Sequence, residues 1–437
     1  MKTMDKIRDQ LIYGTIVGLI CLAPVFVSAG PYRDSAHGNA DYGVNRTNLD
    51  GRYAEYATGN CAHCHEMHAS LEGTDPLPSG GPAAYALFAP GFNDDRTQGP
   101  YLEADNFCFS CHSETTGQMV RNQDYSTTFG GGIAGTGPQS IMTAFNQTSY
   151  HNLYDIKIFL NNSLTYGPWF SQRDNPCSAC HDSHRARRNW DNSQPGFPLL
   201  SAISRPGDGQ LWGETQVMAG YFDYEAPYAF AESREPGGVG QQDGDNTPDY
   251  VTFCGDCHNA DTDIWSTTLN RNLKRINWDD IGLNQDKHGK LTRDGAVYLR
   301  EPYAIAAAVK TNFVLSCLDC HEPHGSDNIM LLRARMNGED LGGQISSTTT
   351  LGLACARCHQ DDLAATSALG SLVGTGETGR WQYVHHQAPD APYVGAGQCG
   401  MCHGPGGGSS PIDCGNCHGH GMTDSWAPTG STGRISF

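Results

Sequence analysis

The pattern Cys-x-x-Cys-His occurs eight times in this chain of 437 residues, and no other feature constrains its structure as strongly. Chance would place roughly 0.03 copies in a chain with 17 cysteines and 18 histidines. The cysteines of the eight copies are Cys61, Cys64, Cys108, Cys111, Cys177, Cys180, Cys254, Cys257, Cys317, Cys320, Cys355, Cys358, Cys399, Cys402, Cys414 and Cys417. The histidines that end the copies are His65, His112, His181, His258, His321, His359, His403 and His418.

This spacing is the attachment signature of c-type haem. Residues three and four apart share one face of a helical turn, so both sulfurs reach one edge of a porphyrin and the histidine reaches its iron. Zinc sites and disulfides also use paired cysteines, but zinc does not require a histidine after every pair. We therefore predict eight covalent haem c groups, with the eight motif histidines as proximal iron ligands. Only Cys21 lies outside the motifs.

Ten further histidines are available for the second axial position of each iron. The eight predicted distal ligands are His37, His68, His151, His184, His288, His324, His385 and His386. His63, which lies between its own two cysteines, and His420, two residues beyond the last motif, are the weaker candidates. Irons closed on both sides by histidine are typical of electron transfer, whereas an enzyme needs an open position.

Three motifs continue as His-x-x-His, at residues 65–68, 181–184 and 321–324. The second histidine of each shares a helical face with the first, so the ring of its own haem blocks it from the far side of that iron. We predict that it ligates the iron of an adjacent haem and holds the two haems close together. The short gap between the motifs at Cys399 and Cys414 predicts a further close pair.

Residues 1–29 have the pattern of a secretory signal peptide. A basic start precedes the apolar run Leu11–Val27, and small residues follow it at the expected cleavage site, so the mature chain should begin at Gly30. An uncleaved membrane anchor and lipidation of Cys21 are the alternatives. No later stretch is long and apolar enough to span a membrane, and export agrees with haem attachment outside the cytoplasm.

Composition bounds both the fold and the partners. The formal charge is -19, and about -20 after removal of the signal, which excludes a nucleic-acid partner and favours cationic partners or metal ions. With 53 glycines and 23 prolines, we expect mostly irregular coil with short α-helices and few strands around a haem core. Residues 30–437 form one octahaem cytochrome c domain with a soft boundary at 232–247. The apoprotein should not fold.

The quoted motifs resemble those of the multihaem c-type cytochromes of extracellular electron transfer. The first, Cys61-Ala-His-Cys64-His65-Glu-Met-His68, is similar to the opening haem site of the filament-forming OmcS-type cytochromes. The stretch from Cys317 to Gly325 resembles a segment common in multihaem cytochromes. The resemblance implies bis-histidine irons throughout and an extracellular, cell-surface or periplasmic location. It also implies redox partner proteins or extracellular metal or mineral acceptors, and a homopolymer in which His37 ligates a haem of the next subunit.

The first functional hypothesis is an electron conduit that is not an enzyme. The alternative is an octahaem oxidoreductase that acts on nitrite, hydroxylamine or tetrathionate at one open haem. Nitrite-reducing relatives often carry lysine as the proximal ligand, whereas all eight motifs here end in histidine, as in the hydroxylamine-oxidising type. A third reading is a periplasmic shuttle that does not assemble.

Overall fold

The computed structural model describes residues 32–48, 55–66, 83–113, 140–162, 170, 175–184, 254–255, 257–276, 317–336, 339–358 and 420. Within these ranges most of the backbone is turn, bend or coil, and the regular elements are short. The prediction of a coil-rich fold with short helices and few strands is therefore confirmed. The predicted signal at 1–29 and the soft boundary at 232–247 lie outside the described residues.

The regular elements of the described ranges are three α-helices, ten short 3-10 helices and six two-residue strands. The α-helices are α1 (Ile141–Ala144), α2 (Leu153–Asn162) and α3 (Gly352–Cys358). The 3-10 helices are Tyr32–Asp34, Arg46–Asn48, Cys61–His63, Ala84–Ala86, Glu103–Asp105, Phe107–Ser110, Pro176–Ala179, Cys317–Asp319, Ile329–Leu331 and Thr348–Thr350. The strands are β1 (Ser149–Tyr150), β2 (Trp265–Ser266), β3 (Arg271–Asn272), β4 (Gly325–Ser326), β5 (Arg335–Met336) and β6 (Glu339–Asp340). They pair antiparallel as β1–β4, β2–β3 and β5–β6.

Helix α2 is the longest of these elements, and its start and its buried face follow from its sequence. The side chain of Asn152 accepts hydrogen bonds from the backbone N–H groups of residues 154 and 155, which caps the first turn. Leu153, Lys157 and Leu160 lie at helical spacing and are buried. The Lys157 ammonium reaches Asp94 at 2.6 Å, so the buried cation is paired.

The pairing of β1 with β4 joins parts of the chain that are far apart in sequence. Ser149 lies opposite Ser326, and Tyr150 lies opposite Gly325. A Cβ atom on Gly325 would collide with the carbonyl oxygen of Ala144, so the close approach of the strands requires glycine at this position. Because β1 ends just before His151 and β4 begins just after His324, the pairing brings these two histidines together.

Two small clusters contain much of the buried apolar packing in the described residues. One contains Leu332, Met336, Leu341, Ile345 and Leu351, and Cys320 packs against it. The other contains Tyr101, Phe109, Phe145 and Leu153, and Cys177 packs against it. Each cluster therefore supports a cysteine of a Cys-x-x-Cys-His motif.

Candidate metal centres

The five motifs whose histidines are described fold into the same turn. In each, the carbonyl oxygen of the first cysteine accepts the N–H of the second cysteine at 3.0–3.3 Å and the N–H of the histidine at 2.8–3.0 Å. Three of the turns are capped by an asparagine side chain, from Asn60, Asn106 and Asn175, which accepts a backbone N–H at 2.9 Å. In these five motifs the backbone therefore carries the two cysteines and the histidine on the same type of turn.

Each of these five motif histidines faces one histidine from elsewhere in the chain. The pairs are His65–His184, His112–His37, His181–His324, His258–His151 and His321–His420. The ring centroids lie 5.9–6.1 Å apart in all five pairs, whereas the interplanar angles range from 6° to 55°. What the pairs share is therefore the separation of the two rings, and not their relative orientation.

This separation fits two imidazoles that bind one metal ion from opposite sides. A metal–nitrogen bond is about 2.0 Å long and the nitrogen lies about 1.1 Å from the ring centre, so the two centroids should be about 6.2 Å apart. Rings in direct face-to-face contact would be about 3.5–4.0 Å apart. The nearly parallel pairs, His65–His184 and His181–His324, lie at 6.0 and 6.1 Å, well beyond that contact distance.

Hydrogen bonds at Nδ1 orient five of the paired rings. The acceptors are Tyr85 O for His65 (2.9 Å), Met330 O for His321 (2.9 Å), Ser183 O for His37 (3.0 Å), Glu322 Oε1 for His324 (2.8 Å) and Pro323 O for His151. A carbonyl oxygen only accepts, so Nδ1 carries the proton wherever the partner is a backbone carbonyl. That tautomer leaves the lone pair of Nε2 for a metal ion, as in most protein metal sites.

Two of these carbonyls belong to an unusual turn that occurs twice. Residues 85–86 and 330–331 are not glycines, yet their φ angles are 60°, 53°, 57° and 58°. Non-glycine residues rarely adopt this left-handed region, so such backbone persists where the surrounding contacts favour it. Here the first residue of each left-handed pair presents its carbonyl to a motif histidine, His65 or His321.

The electrostatics of the paired rings favour the neutral imidazole. Removal of water from around the rings lowers the pKa of His112 and His258 to about 3 and that of His321 to about 4. The charge of the facing histidine is the next cause in each case and acts in the same direction. A ring with such a low pKa is neutral at pH 7 and keeps the lone pair that a metal ion requires.

The two described His-x-x-His segments each reach another motif. His184 follows the third motif and faces His65 of the first, and His324 follows the fifth motif and faces His181 of the third. In both cases the second histidine lies opposite the motif two places earlier in the chain. The third such histidine, His68, lies outside the described residues.

The remaining described histidines correct two expectations. The ring of His37 faces His112 of its own chain and is held there by the Ser183 carbonyl, so the expectation that it serves a neighbouring subunit is wrong. His420 was left out of the predicted ligands, yet its ring faces His321. Its position two residues beyond the last motif gives no sign that this segment returns to the fifth.

His63 has a different role from the paired rings. It is fully buried, its Nδ1 accepts the backbone N–H of Arg46 at 3.2 Å, and its Nε2 donates to the carbonyl of Ala57 at 3.0 Å. Both ring nitrogens are therefore used within the fold. The other predicted ligands lie outside the described residues, namely Cys399, Cys402, Cys414, Cys417, His68, His288, His359, His385, His386, His403 and His418.

Motifs that follow one another in the sequence are also neighbours in space. The thiol of Cys177 is the largest cause of a raised pKa at Cys108, which places the second motif near the third. The thiol of Cys317 has the same effect at Cys254, which places the fourth motif near the fifth. Cys180 of the third motif contributes a smaller part of the raised pKa at Cys254.

The first and sixth motifs take part in similar electrostatic interactions. Burial raises the pKa of Cys111 to about 12, and the charge of Cys64 in the first motif adds to the effect. Burial also raises the pKa of Cys320 to about 12, with a smaller contribution from Cys355 of the sixth motif. From the first motif to the sixth, each motif therefore interacts electrostatically with the next one in the sequence.

Other kinds of site are not found in the described ranges. The cysteines of the described motifs form no disulfide. No cluster of three or more His, Cys, Asp or Glu side chains suited to a metal ion occurs in the part of the chain that the structure describes. The same part contains no helix long and apolar enough to cross a membrane.

Comparison with protein-family models, with curated proteins and with solved structures finds no match to this chain. What the motifs bind must therefore be inferred from the residues themselves. The feature that requires explanation is the five pairs of opposed imidazoles, each beside two thiols on one turn.

Proposed function

We propose that this chain is an exported octahaem c-type cytochrome that conducts electrons between redox partners and is not an enzyme. The observation that carries the proposal is the constant separation of 5.9–6.1 Å between each described motif histidine and its facing histidine. A metal ion fits between such rings, and the two cysteines beside each pair suit a cofactor that is attached through two thioether bonds. Haem c requires both two cysteines for its thioether bonds and ligands for its iron.

The cysteines and the histidines of each site would hold the haem in different ways. The two thiols would attach the haem covalently, and the motif histidine and its facing histidine would bind its iron. Nδ1 hydrogen bonds to backbone carbonyls fix the plane of rings such as His65 and His321. When bound, haem supplies a one-electron Fe(III)/Fe(II) couple.

The arrangement of the motifs favours conduction over storage at isolated sites. Electrostatic interactions between cysteines link each motif to the next, from the first motif to the sixth. The segments 181–184 and 321–324 add a second set of links, because each connects a motif to the one two places earlier. Groups held on this scaffold lie beside one another, which is the condition for transfer by successive hops.

The same proposal accounts for the scarcity of apolar packing. The described clusters are small, and each supports a motif cysteine. Eight porphyrin rings would supply the missing apolar interior, so folding and haem attachment are one process. The proposed fold is therefore a haem-cored one in which short turns and loops cover the rings.

Catalysis at an open haem is the competing function. All five described motif histidines, from His65 to His321, are faced by a second histidine. An oxidoreductase acting on nitrite, hydroxylamine or tetrathionate would need its open site at one of the last three motifs. Their histidines, His359, His403 and His418, lie outside the described residues.

Assembly into a homopolymer is part of the proposal, with His68 as the residue that joins subunits. His184 and His324 each face the motif two places earlier. The five described motif histidines are already faced by His184, His37, His324, His151 and His420. We therefore propose that His68, the third histidine of this type, ligates a haem of a second copy. The acidic surface leaves redox proteins with basic patches, or extracellular metal ions and minerals, as the partners of the assembly.

The test uses the full chain produced in a host that attaches c-type haem and exports it. The mass of the intact protein and the alkaline pyridine spectrum should both correspond to eight haems per chain. Nitrite and hydroxylamine should leave the spectrum of the oxidised protein unchanged. A haem count well below eight would contradict the cofactor assignment, and stoichiometric binding of either molecule would favour the enzyme.

A variant at His68 tests assembly separately. His68→Ala should give separate particles by electron microscopy where the wild type gives filaments. His63→Ala is the matched control, because His63 is engaged within its own chain. Wild-type protein that remains monomeric at high concentration would overturn the homopolymer.

A further inference from the structure

The two described His-x-x-His segments share an acidic residue directly after the motif histidine, but the two acids lie differently. In segment 321–324, Glu322 Oε1 accepts from the Nδ1 of His324 at 2.8 Å and from its backbone N–H at 3.2 Å. In segment 181–184, Asp182 accepts the backbone N–H of His184 at 2.9 Å, but its oxygen is 4.0 Å from Nδ1. Only the longer side chain of Glu322 reaches the ring.

Glu322 is also buried, which strengthens its electrostatic effect. Its side chain is only 4% exposed, compared with 20% for Asp182. Within the described part of the chain, the second carboxylate oxygen of Glu322 is buried and has no hydrogen-bond partner. A charge removed from water acts on its neighbours with little screening.

A second axial histidine lies within the field of the same carboxylate. His151 donates from Nδ1 to the carbonyl of Pro323, the residue after Glu322. Burial lowers the pKa of His151, whereas the Pro323 hydrogen bond and the charge of Glu322 raise it. Glu322 therefore bonds to the ring of His324 and acts by its charge on the ring of His151, and these two rings face the third and fourth motifs.

We propose that Glu322 is a positioning residue that orients His324 and lowers the reduction potential at the third and fourth haem sites. The inference rests on the function proposed above. A carboxylate that accepts from Nδ1 makes an imidazole a stronger donor to iron, which favours the oxidised state. Reduction by a redox partner would add one electron to the iron and take the iron–porphyrin core from a charge of +1 to zero, with no transfer of a proton. The Glu322 charge would stabilise the oxidised core, which has the charge of +1.

The parallel segment supplies the matched comparison. His184 is 63% exposed, and the Asp182 carboxylate does not reach its Nδ1, so water screens most of the charge. The first haem site should therefore be reduced more easily than the third. The expected difference in reduction potential has two causes. The side chain of Glu322 is one methylene group longer than that of Asp182, and segment 321–324 is more buried than segment 181–184.

The test is a spectroelectrochemical titration of the full haem-loaded chain. Glu322→Gln keeps the shape of the side chain and removes its charge. We expect it to increase the equilibrium constant for reduction at least tenfold at two of the haems, which raises the reduction potential of each by about 59 mV. Asp182→Asn is the control and should change the equilibrium less than threefold at every haem. An E322Q titration within threefold of the wild type would overturn the proposal.

If Glu322→Gln does not fold with its haems, a gain-of-function variant tests the proposal. Asp182→Glu extends the carboxylate toward the ring of His184 and should make one haem harder to reduce, by a smaller factor because of its exposure. If Asp182→Glu leaves the titration unchanged, the proposal also fails. Haem content is measured for the wild type and for every variant. Wild-type protein without haem would refute the proposed function. Variants that contain haem but have unchanged reduction potentials would refute only the role of Glu322.

Discussion

Segments 181–184 and 321–324 perform the same structural task in different surroundings. Each begins with a motif histidine, and its second histidine faces the motif two places earlier. The backbone carbonyl just before that second histidine accepts a hydrogen bond from a third histidine ring. The first segment is open to solvent, with the side chain of His184 63% exposed. The second is enclosed by the β1–β4 pairing, and the side chain of His324 is 15% exposed.

The comparison shows that the ligand geometry and its environment are set by different residues. The Cys-x-x-Cys-His turn and the three-residue step to the second histidine recur in both segments. Exposure, the reach of the acidic side chain and the neighbouring strand differ between them. A conduit built from such units can hold every iron in the same way and still give each a different potential.

The largest expected effect is removal of a second histidine. His324→Ala and His184→Ala should each convert one of the eight haems from low spin to high spin, because one axial nitrogen is lost. Imidazole added to the solution should rebind faster in His184→Ala, since that side is exposed. Low-temperature EPR and stopped-flow absorbance measure the two effects.

His63→Ala is the control for both variants. His63 bonds within the fold through both nitrogens, so its removal should lower stability and leave all spin states unchanged. A high-spin signal in this variant, or its absence in His324→Ala, would break the assignment of the ring pairs.

Gly325→Ala tests the enclosure of the second segment. The added methyl group collides with the Ala144 carbonyl and forces β1 and β4 apart, so we expect the free energy of unfolding to fall by about 1–3 kcal/mol. The measurement is chemical unfolding of the haem-loaded protein followed by absorbance. Gly255→Ala is the matched control, because a Cβ there meets no atom within 4 Å. Equal loss in the two variants would mean that the strand pairing does not enclose the segment.

Ser149→Ala should have the smallest effect of the series. Its hydroxyl donates to the carbonyl of Asn328 and accepts the N–H of Leu331 at 2.8 Å, which ties β1 to the left-handed turn at residues 330–331. Loss of these bonds should cost about 1–2 kcal/mol of unfolding free energy. Segment 181–184 should be unaffected, so adding Ser149→Ala to His184→Ala should leave the rate of imidazole binding unchanged. A change in that rate would link the two segments.

The sequence was sufficient for local features whose cause is local. The motif turn follows from residue spacing, and the coil-rich fold follows from the glycine and proline content and the motifs. The partners of the second histidines required the tertiary structure: spacing shows that His184 cannot reach its own site, but not that it lies over His65. His420 gave no signal, because its role depends on a segment that returns to His321 from a distance.

Backbone strain was equally invisible in the sequence. Residues 85–86 and 330–331 contain no glycine, so nothing in their composition indicates left-handed turns. Their conformation depends on bonds made elsewhere, such as those from the Nδ1 atoms of His65 and His321. Such features depend on tertiary contacts around the site and are not apparent from the sequence.

If opposed histidines bind every haem iron from both sides, no iron in the oxidised protein is high spin. Low-temperature EPR of the oxidised full-length protein, with spins quantified against its haem content, measures this. We expect low-spin ferric signals only, with g-values that vary between sites as the interplanar angles of the histidine pairs vary from 6° to 55°. A high-spin ferric signal that amounts to one or more haems per chain would contradict it.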